Sequence, residues 1–434
     1  MTGSTEGLAR PAVESEPIER RLRAAGLPPL RCLAWVEVDA GVLEANARLL
    51  RSLLPDGTRL GLVVKANGYG HGLAAGARVG VAGGAEVLLV ATLDEALVLR
   101  KAGIGERIVV LYPVPADGIP EATVAGVELV VADAASLAGL VGTAQERAAR
   151  VGAGLGASCR VHLAIDSGMS RGGFPADAAV EAAATLATAP GVELVGAWSH
   201  LASPELPDFV AAQAERFEAA VSALRGAGHP VEAHLAATGG LFGTAPLHDL
   251  VRVGLAYYGV MPPELHVAQR ASAVAAALRP AMSVRARPVA VNTLPAGSEV
   301  GYGGTWRAER ESTIATLPIG YADGWTRLYS PGAYALVGGR RAPLVGRVSS
   351  DAIAVDITDV GPLAPDAEFV LLGEQDGERI DALELAALRR SIAWEVLDAF
   401  GERLARVYVR DERPVAVLPP YGALVEAPAG LTNR

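Results

Sequence analysis

The sequence predicts an N-terminal (β/α)8 TIM-like barrel followed by a mostly antiparallel β domain. Three observations predict it. Between about residues 59 and 260, eight short β-type runs alternate with Ala-rich helical stretches. After about residue 278 strand-like runs dominate. Polar and charged residues collect where the runs of the first region end. The eight runs are 59–65, 86–91, 107–112, 127–131, 159–165, 192–198, 231–236 and 251–256. Helical stretches such as 93–102 and 209–225 lie between them, and 40–54 precedes the first. Regular alternation of this kind implies parallel strands joined by crossover helices. Eight units in this length suggest a closed barrel; a doubly wound open sheet is the rival. In the second region the strand-like runs are 282–294, 312–317, 333–337, 352–357, 368–372, 406–409 and 414–418, with one helix at 381–400.

These patterns divide the chain into an extension at 1–30, a barrel at 31–275, a β domain at 276–421 and a tail at 422–434. Residues 1–30 read as a mobile extension in which 17–26 has the makings of one short helix. Leu33–Asp39 is an isolated early strand, assigned to the barrel with pairing to the β domain as the alternative. At 434 residues, 51% hydrophobic and 20% charged, the composition is that of a globular protein. A net charge of −10 argues against nucleic-acid or anionic-membrane partners. Neither a signal-peptide core nor an uninterrupted apolar span is present. Two cysteines, Cys32 and Cys159, build no disulfide framework and no zinc spacing, so a cytoplasmic setting without a metal site is expected.

The chemistry starts at Lys65. It closes the apolar run Gly61-Leu-Val-Val-Lys65 and is followed at once by Ala-Asn-Gly-Tyr69-Gly-His71-Gly72. A lysine at the mouth of a buried strand is partly desolvated, which lowers its pKa and makes its amine a nucleophile. A strand-end lysine reaching solvent is the plain alternative. The three glycines of the loop allow close backbone approach to a ligand. Further along, Asp166-Ser-Gly-Met-Ser-Arg171 follows the fifth run, Ser199-His200 the sixth and Thr238-Gly239-Gly240 the seventh, while Arg252 and Gly254 lie in the eighth. Barrel enzymes place catalysis at these strand ends, and glycine-containing turns near the last two strands commonly hold phosphate. Taken singly, Arg171 is equally a surface ion-pair residue and His200 a satisfied core histidine.

Val63-Val-Lys-Ala-Asn-Gly-Tyr-Gly-His-Gly72 resembles the cofactor-lysine motif of the alanine racemase family, pyridoxal phosphate (PLP) enzymes with a barrel and a β domain. The resemblance covers about residues 34–420 and includes Glu299-Val-Gly-Tyr302-Gly-Gly-Thr305, Pro318-Ile-Gly-Tyr321-Ala-Asp-Gly-Trp325 and Val345-Gly-Arg-Val-Ser-Ser350-Asp351. It implies that Lys65 is the Schiff-base lysine. Tyr69, Thr238, Gly254 and Leu255 would hold the cofactor phosphate, with Trp394 at the position of another phosphate contact. Arg171 would meet the ring hydroxyl and substrate carboxylate, and Arg252 the pyridine nitrogen. His200 would back a second base. That base is implied to be Tyr302 from the partner subunit of a homodimer with shared active sites. Racemisation needs such a pair, because Lys65 serves only one face of the Cα. Tyr321 and the Ser350 amide would hold the substrate carboxylate. Glu205, Arg327 and Arg347 match entryway residues, although ordinary interface salt bridges fit them equally.

The pattern has departures. Ala164 stands where many relatives have a lysine that positions the active-site arginine. Ala237 replaces an asparagine, Ser349-Ser350 a Cys-Met pair, and Trp394 a tyrosine that bounds the substrate pocket. The chemistry survives these changes, whereas the substrate side chain is left open. The expectation is a PLP-dependent racemase interconverting L- and D-alanine or another small amino acid. A racemase of serine or of a non-standard amino acid in secondary metabolism is the alternative. A decarboxylase of the same fold is disfavoured by Arg252 and by Ser349 at a position where a cysteine would be sought. A non-catalytic PLP carrier is disfavoured by the β domain, and a sugar-processing barrel by strand ends carrying Lys, Arg and His.

Overall fold

The computed structural model describes residues 16–151 and 158–432. The chain forms two compact units. Among the described residues, one holds 39–281, 393–398 and 431–432; the other holds 16–38, 282–392 and 399–430.

The first unit is the barrel. After β1 (Ala34–Asp39), which belongs to the other sheet, its strands are β2 (Arg59–Val63), β3 (Val87–Val90), β4 (Arg107–Val110), β5 (Leu129–Val131), β6 (Cys159–Ala164), β7 (Val192–Trp198), β8 (Glu232–His234) and β9 (Leu250–Val253). They form two parallel runs, β4-β3-β2-β9 and β5-β6-β7-β8. Single parallel bridges, Val109 to Glu128 and Ala237 to Arg252, join the runs at both ends and close the cylinder. The intervening helices carry expected end signals. Helix Leu93–Lys101, for instance, has a Thr92/Glu95 capping box, acids in its first turn and bases in its last. Helix Pro207–Gly226 buries Val210, Ala214, Phe217, Val221 and Leu224, a stripe at helical spacing. No described helix is long and apolar enough to cross a membrane.

The second unit is a mostly antiparallel sheet. Its strands are β10 (Met282–Ala286), β11 (Ala290–Leu294), β12 (Glu299–Val300), β13 (Trp306–Arg307), β14 (Ser312–Leu317), β15 (Tyr334–Val337) and β16 (Arg340–Val345). They continue with β17 (Ile353–Asp356), β18 (Phe369–Gln375), β19 (Glu378–Ile380), β20 (Ala405–Arg410), β21 (Arg413–Leu418) and β22 (Val425–Glu426). The sheet runs β11-β14-β17-β16-β15-β18-β10-β1-β20-β21-β22, with β19 on β18, and β12-β13 is a separate hairpin. β1 pairs antiparallel with β10, from Ala34 opposite Ala286 to Val38 opposite Met282.

The structure departs from several expectations. Part of segment 1–30 is structured: Ile18–Ala24 is a helix whose Ile18 and Leu22 pack with Trp35, Val407 and Val417. Arg21 pairs with Glu37 at 3.0 Å, and Ile18 N–H donates to Glu368 at 3.0 Å. Residues 1–15 lie outside the described residues. Residues 422–434 are not a simple tail, because β22 adds an edge to β21. The run 282–294 is two strands, interrupted at 287–289, where Pro288 cannot donate to a ladder. The helix expected at 381–400 is two, Ala382–Leu388 and Ala393–Asp398. Arg390 between them sits at φ 53°, outside the helical region. The second of these helices groups with the barrel.

Candidate active site

Lys65 stands two residues beyond β2 and is half-buried. Ala66, Asn67, Gly68 and Tyr69 then adopt φ of 52°, 56°, 63° and 50°, a full left-handed turn. Left-handed backbone costs an L-residue about 1–2 kcal/mol; Gly68 escapes that cost and Asn67 tolerates the conformation better than Ala66 or Tyr69. The turn is held by its surroundings. Asn67 Oδ1 accepts from Leu73 N–H at 2.9 Å. His71 Nδ1 lies 2.8 Å from the Tyr69 carbonyl and therefore carries the proton. Glu95 accepts from Ala66 N–H at 2.7 Å. The buried Tyr69 ring packs 4.9 Å from Tyr258, whose hydroxyl donates to the Val63 carbonyl at 3.1 Å. Burial raises the Tyr69 pKa, with the Asp398 charge adding to the rise.

Tyr69 Oη lies against Gly254, just past β9. A methyl group added at Gly254 would sit 2.9 Å from that oxygen. Gly254 N–H donates to Thr238 Oγ1 at 3.2 Å. Tyr69, Thr238, Gly254 and the adjoining buried Leu255 thus converge on one corner. Hydroxyls and a backbone amide against a glycine form a cradle of phosphate-binding type.

Arg252 on β9 is buried. Its Nη1 donates to the His234 carbonyl at 2.7 Å and faces His234 Nδ1 at 3.1 Å. Its Nη2 donates to the Ser199 and Leu235 carbonyls at 2.6 and 3.1 Å and faces His200 Nδ1 at 3.4 Å. The guanidinium lies 5.1 Å above the Trp198 ring. Burial and the nearby Arg171 lower its pKa, yet a guanidinium in a protein stays protonated and can only donate. That fixes the direction of a buried chain. His234 Nδ1 must accept, so its Nε2–H donates to His162 Nδ1 at 3.0 Å, and His162 Nε2–H donates to Glu128 at 2.8 Å. Arg107 clamps Glu128 through two nitrogens, at 2.9 and 2.8 Å. Desolvation would raise the Glu128 pKa, but the His162 and Arg107 bonds hold it far below the usual range.

His200 lies at the start of the loop after β7. Burial, then Arg252, Arg171 and Lys65, push its pKa down to about 3, so it is neutral. Its Nδ1 faces a donor, which places its proton on Nε2. Gln213 fixes this loop, donating to the His200 carbonyl at 3.2 Å and accepting from Ala202 N–H at 2.8 Å. Arg171 is exposed at the end of a turn built on Asp166. Asp166 Oδ1 accepts from the Gly168, Met169 and Ser170 amides at 2.9, 3.1 and 3.0 Å. Burial works to raise the Asp166 pKa, but these amides bring it below its ordinary value. Ala164, buried at the end of β6, offers no side chain to orient Arg171. Helix Ala393–Asp398 brings Trp394 and packs against the Lys65 turn. Burial pushes the Asp398 carboxyl up to about 6, with the Lys65 charge opposing the rise. Glu205 is half-buried in the loop before helix Pro207–Gly226.

The other predicted residues belong to the β unit. Tyr302 heads a short turn between β12 and β13 and is 73% exposed. Gly301 and Gly303 pack the turn against Arg347. Tyr321 N–H donates to the Ser349 carbonyl at 3.1 Å and Ala322 N–H to the Ser350 carbonyl at 3.0 Å, so Tyr321 and Ser350 are brought together. A methyl group at Gly320 would lie 2.3 Å from the Ser349 oxygen. Arg327 is exposed on the following turn.

Glu95, His162, Trp198, His234 and Asp398 escaped sequence reasoning. His162 and His234 did carry a signal, since each interrupts an apolar strand run and a buried imidazole requires partners. Among the described residues no His/Cys/Asp/Glu group is placed to hold a metal ion.

A closed parallel barrel with a lysine and a buried arginine at its strand ends, joined to an antiparallel β unit, has the architecture of a barrel enzyme. Residues 38–262 match the alanine racemase N-terminal domain, and 281–408 match the C-terminal domain. The alanine racemase of Symbiobacterium thermophilum is 38% identical over 86% of this chain and 96% of the relative. The crystal structure of alanine racemase from Bacillus anthracis with bound L-Ala-P superposes with a TM-score of 0.81 at 30% identity, covering 90% of this chain and 99% of that one. Histidine racemase from Leuconostoc mesenteroides subsp. sake gives a TM-score of 0.75 at 26% identity, covering 87% and 98%. The chain belongs to the alanine racemase family. It is an amino-acid racemase, an isomerase.

Proposed function

We propose that this racemase is a cytoplasmic, PLP-dependent homodimer that interconverts L- and D-alanine or another small amino acid. The observation that carries the reading is the convergence of Lys65, Tyr69, His200, Thr238, Arg252 and Gly254 at one end of the barrel strands. The residues fit the cofactor. The Tyr69–Thr238–Gly254 corner suits its phosphate, Lys65 its aldehyde, and Arg252 its ring nitrogen. The terminal nitrogens of Arg252 are committed to carbonyls and imidazoles, which leaves the Nε–H as the available donor. When bound, PLP draws electrons from the substrate Cα and acidifies its hydrogen.

Lys65 Nζ takes or returns that proton on one face, and Tyr302 Oη of the partner subunit serves the opposite face. Exposure on a glycine-flanked turn suits a tyrosine that must reach another subunit. A free tyrosine titrates near 10, so its oxygen needs stabilising when deprotonated. Neutral His200, with its proton on Nε2, is the donor suited to that task. Arg252 cannot take a proton from anything it faces, which disfavours protonation of the ring nitrogen and restrains side reactions. Arg171, Tyr321 and the Ser350 amide would receive the substrate carboxylate, with Trp394 bounding its side chain. Glu205, Arg327 and Arg347 would line the approach.

Serine or a non-standard amino acid is the second reading, favoured by Ser350 and Trp394 at positions that shape the pocket. Purified protein incubated with PLP and a panel of L-amino acids, followed by chiral chromatography, decides between them. Alanine should lose optical purity fastest; a faster serine or non-standard substrate would select the second reading.

A further inference from the structure

We propose that Glu95 is a positioning residue for Lys65. The proposal rests on the reading of Lys65 as the cofactor anchor. Its two carboxylate oxygens have separate duties. Oε2 accepts from Ala91 N–H at 2.8 Å and Thr92 N–H at 3.2 Å, which completes the capping box of helix Leu93–Lys101. Oε1 accepts from Ala66 N–H at 2.7 Å. That amide belongs to the peptide plane directly after Lys65, so holding it restrains the ψ of Lys65 and the backbone from which its side chain departs beyond β2. It is also the first amide of the left-handed turn Ala66–Tyr69. Strained backbone persists only where its surroundings determine it from several sides. Glu95 grips the start of the turn, Asn67 and His71 the remainder. An unusual conformation beside a nucleophile, held by a charged acceptor from the next strand–helix connection, is the arrangement expected of a device that aims a side chain.

The capping duty alone would make Glu95 structural, so the test separates the two. Thr92→Ala removes the hydrogen bond from Glu95 N–H to Thr92 Oγ1 and leaves the Ala66 contact in place. Glu95→Gln has one oxygen to serve both sides and must set an N–H against one set of amides. Glu95→Ala loses both. Full-length wild type and the three variants are titrated with PLP, following the yellow absorbance and the rate of cofactor loss on dilution, alongside melting temperature, kcat and KM. Thr92→Ala should lower the melting temperature while PLP affinity and kcat stay within about twofold of wild type. Glu95→Ala and Glu95→Gln should weaken PLP binding by about tenfold or more and lower kcat, with KM for the amino acid little changed. If Glu95→Ala does not fold, Glu95→Gln, close in shape, carries the comparison. Equal effects of the Thr92 and Glu95 variants on PLP affinity, or a Glu95→Gln protein indistinguishable from wild type, would overturn the proposal. Failure of the wild type itself to bind PLP would instead overturn the anchor reading.

Discussion

Lys65 and the groups around it carry consequences that single substitutions read directly. Lys65→Ala should remove the yellow absorbance seen with PLP and reduce racemisation by several orders of magnitude, of the size that follows loss of a covalent catalytic group. His200 makes a prediction about pH. Its folded pKa of about 3 lies below its ordinary 6.5, so the unfolded chain binds the proton first as pH falls. The neutral form therefore contributes stability above about 6.5 that is lost progressively on acidification towards 3. Asp398, raised from 3.8 to about 6, works in the opposite sense, adding stability below about 4 that is lost as pH rises through 6. Urea unfolding across this pH range should show a flatter acid slope in His200→Gln than in wild type. His234→Leu would take one imidazole partner from each of Arg252 and His162, costing about 1–3 kcal/mol and lowering kcat more than KM. Which residues gather at the strand ends was legible, because each sits in a local motif of distinctive composition. Glu95 and His234 were not. Glu95 meets Ala66 across 29 positions and His162 meets His234 across 72, separations over which composition holds no information.

Turns and caps decide whether these side chains are aimed. The Asp166 turn fixes, by three backbone bonds, the segment that leads into Arg171. Asp166→Ala should destabilise the protein by roughly 1–3 kcal/mol and raise KM, because Arg171 loses its fixed base; denaturant unfolding and steady-state kinetics check both. Gly254→Ala places a methyl 2.9 Å from Tyr69 Oη and should weaken PLP binding measured by absorbance titration. Element boundaries were partly readable. Apolar alternation and Ala-rich stretches gave the barrel strands and helices within a few residues. The break at Arg390 was not readable, since no glycine or proline stands between Ala382 and Asp398 to mark it. The Lys65 turn was equally hidden, because propensity does not anticipate Ala66 in left-handed backbone.

For the molecule as a whole, regular β–α alternation makes each barrel strand pair with the next in sequence, and the first, β2, completes the ring against the last, β9. The β unit was legible only as a class. Its path sets β1 between β10 and β20, pairings no local pattern encodes. The proposed shared site in a homodimer would have a consequence at this scale. Mixing unfolded Lys65→Ala and Tyr302→Phe chains and refolding them should restore about one quarter of wild-type activity, because half the dimers would hold one intact site of two. No recovery would place Tyr302 in the same subunit as the Lys65 it serves, or outside the chemistry. The most direct measurement for the whole account is hydrogen exchange at Cα. Wild-type protein with PLP, L-alanine and other small L-amino acids in deuterated water should incorporate deuterium at Cα while D-enantiomer accumulates. In Tyr302→Phe, exchange of the D-enantiomer's hydrogen and of the L-enantiomer's should be slowed unequally, because each is removed from a different face. PLP-loaded protein that exchanges no Cα hydrogen, or a Tyr302→Phe protein in which both exchanges are slowed equally or neither is slowed, would contradict the two-base account.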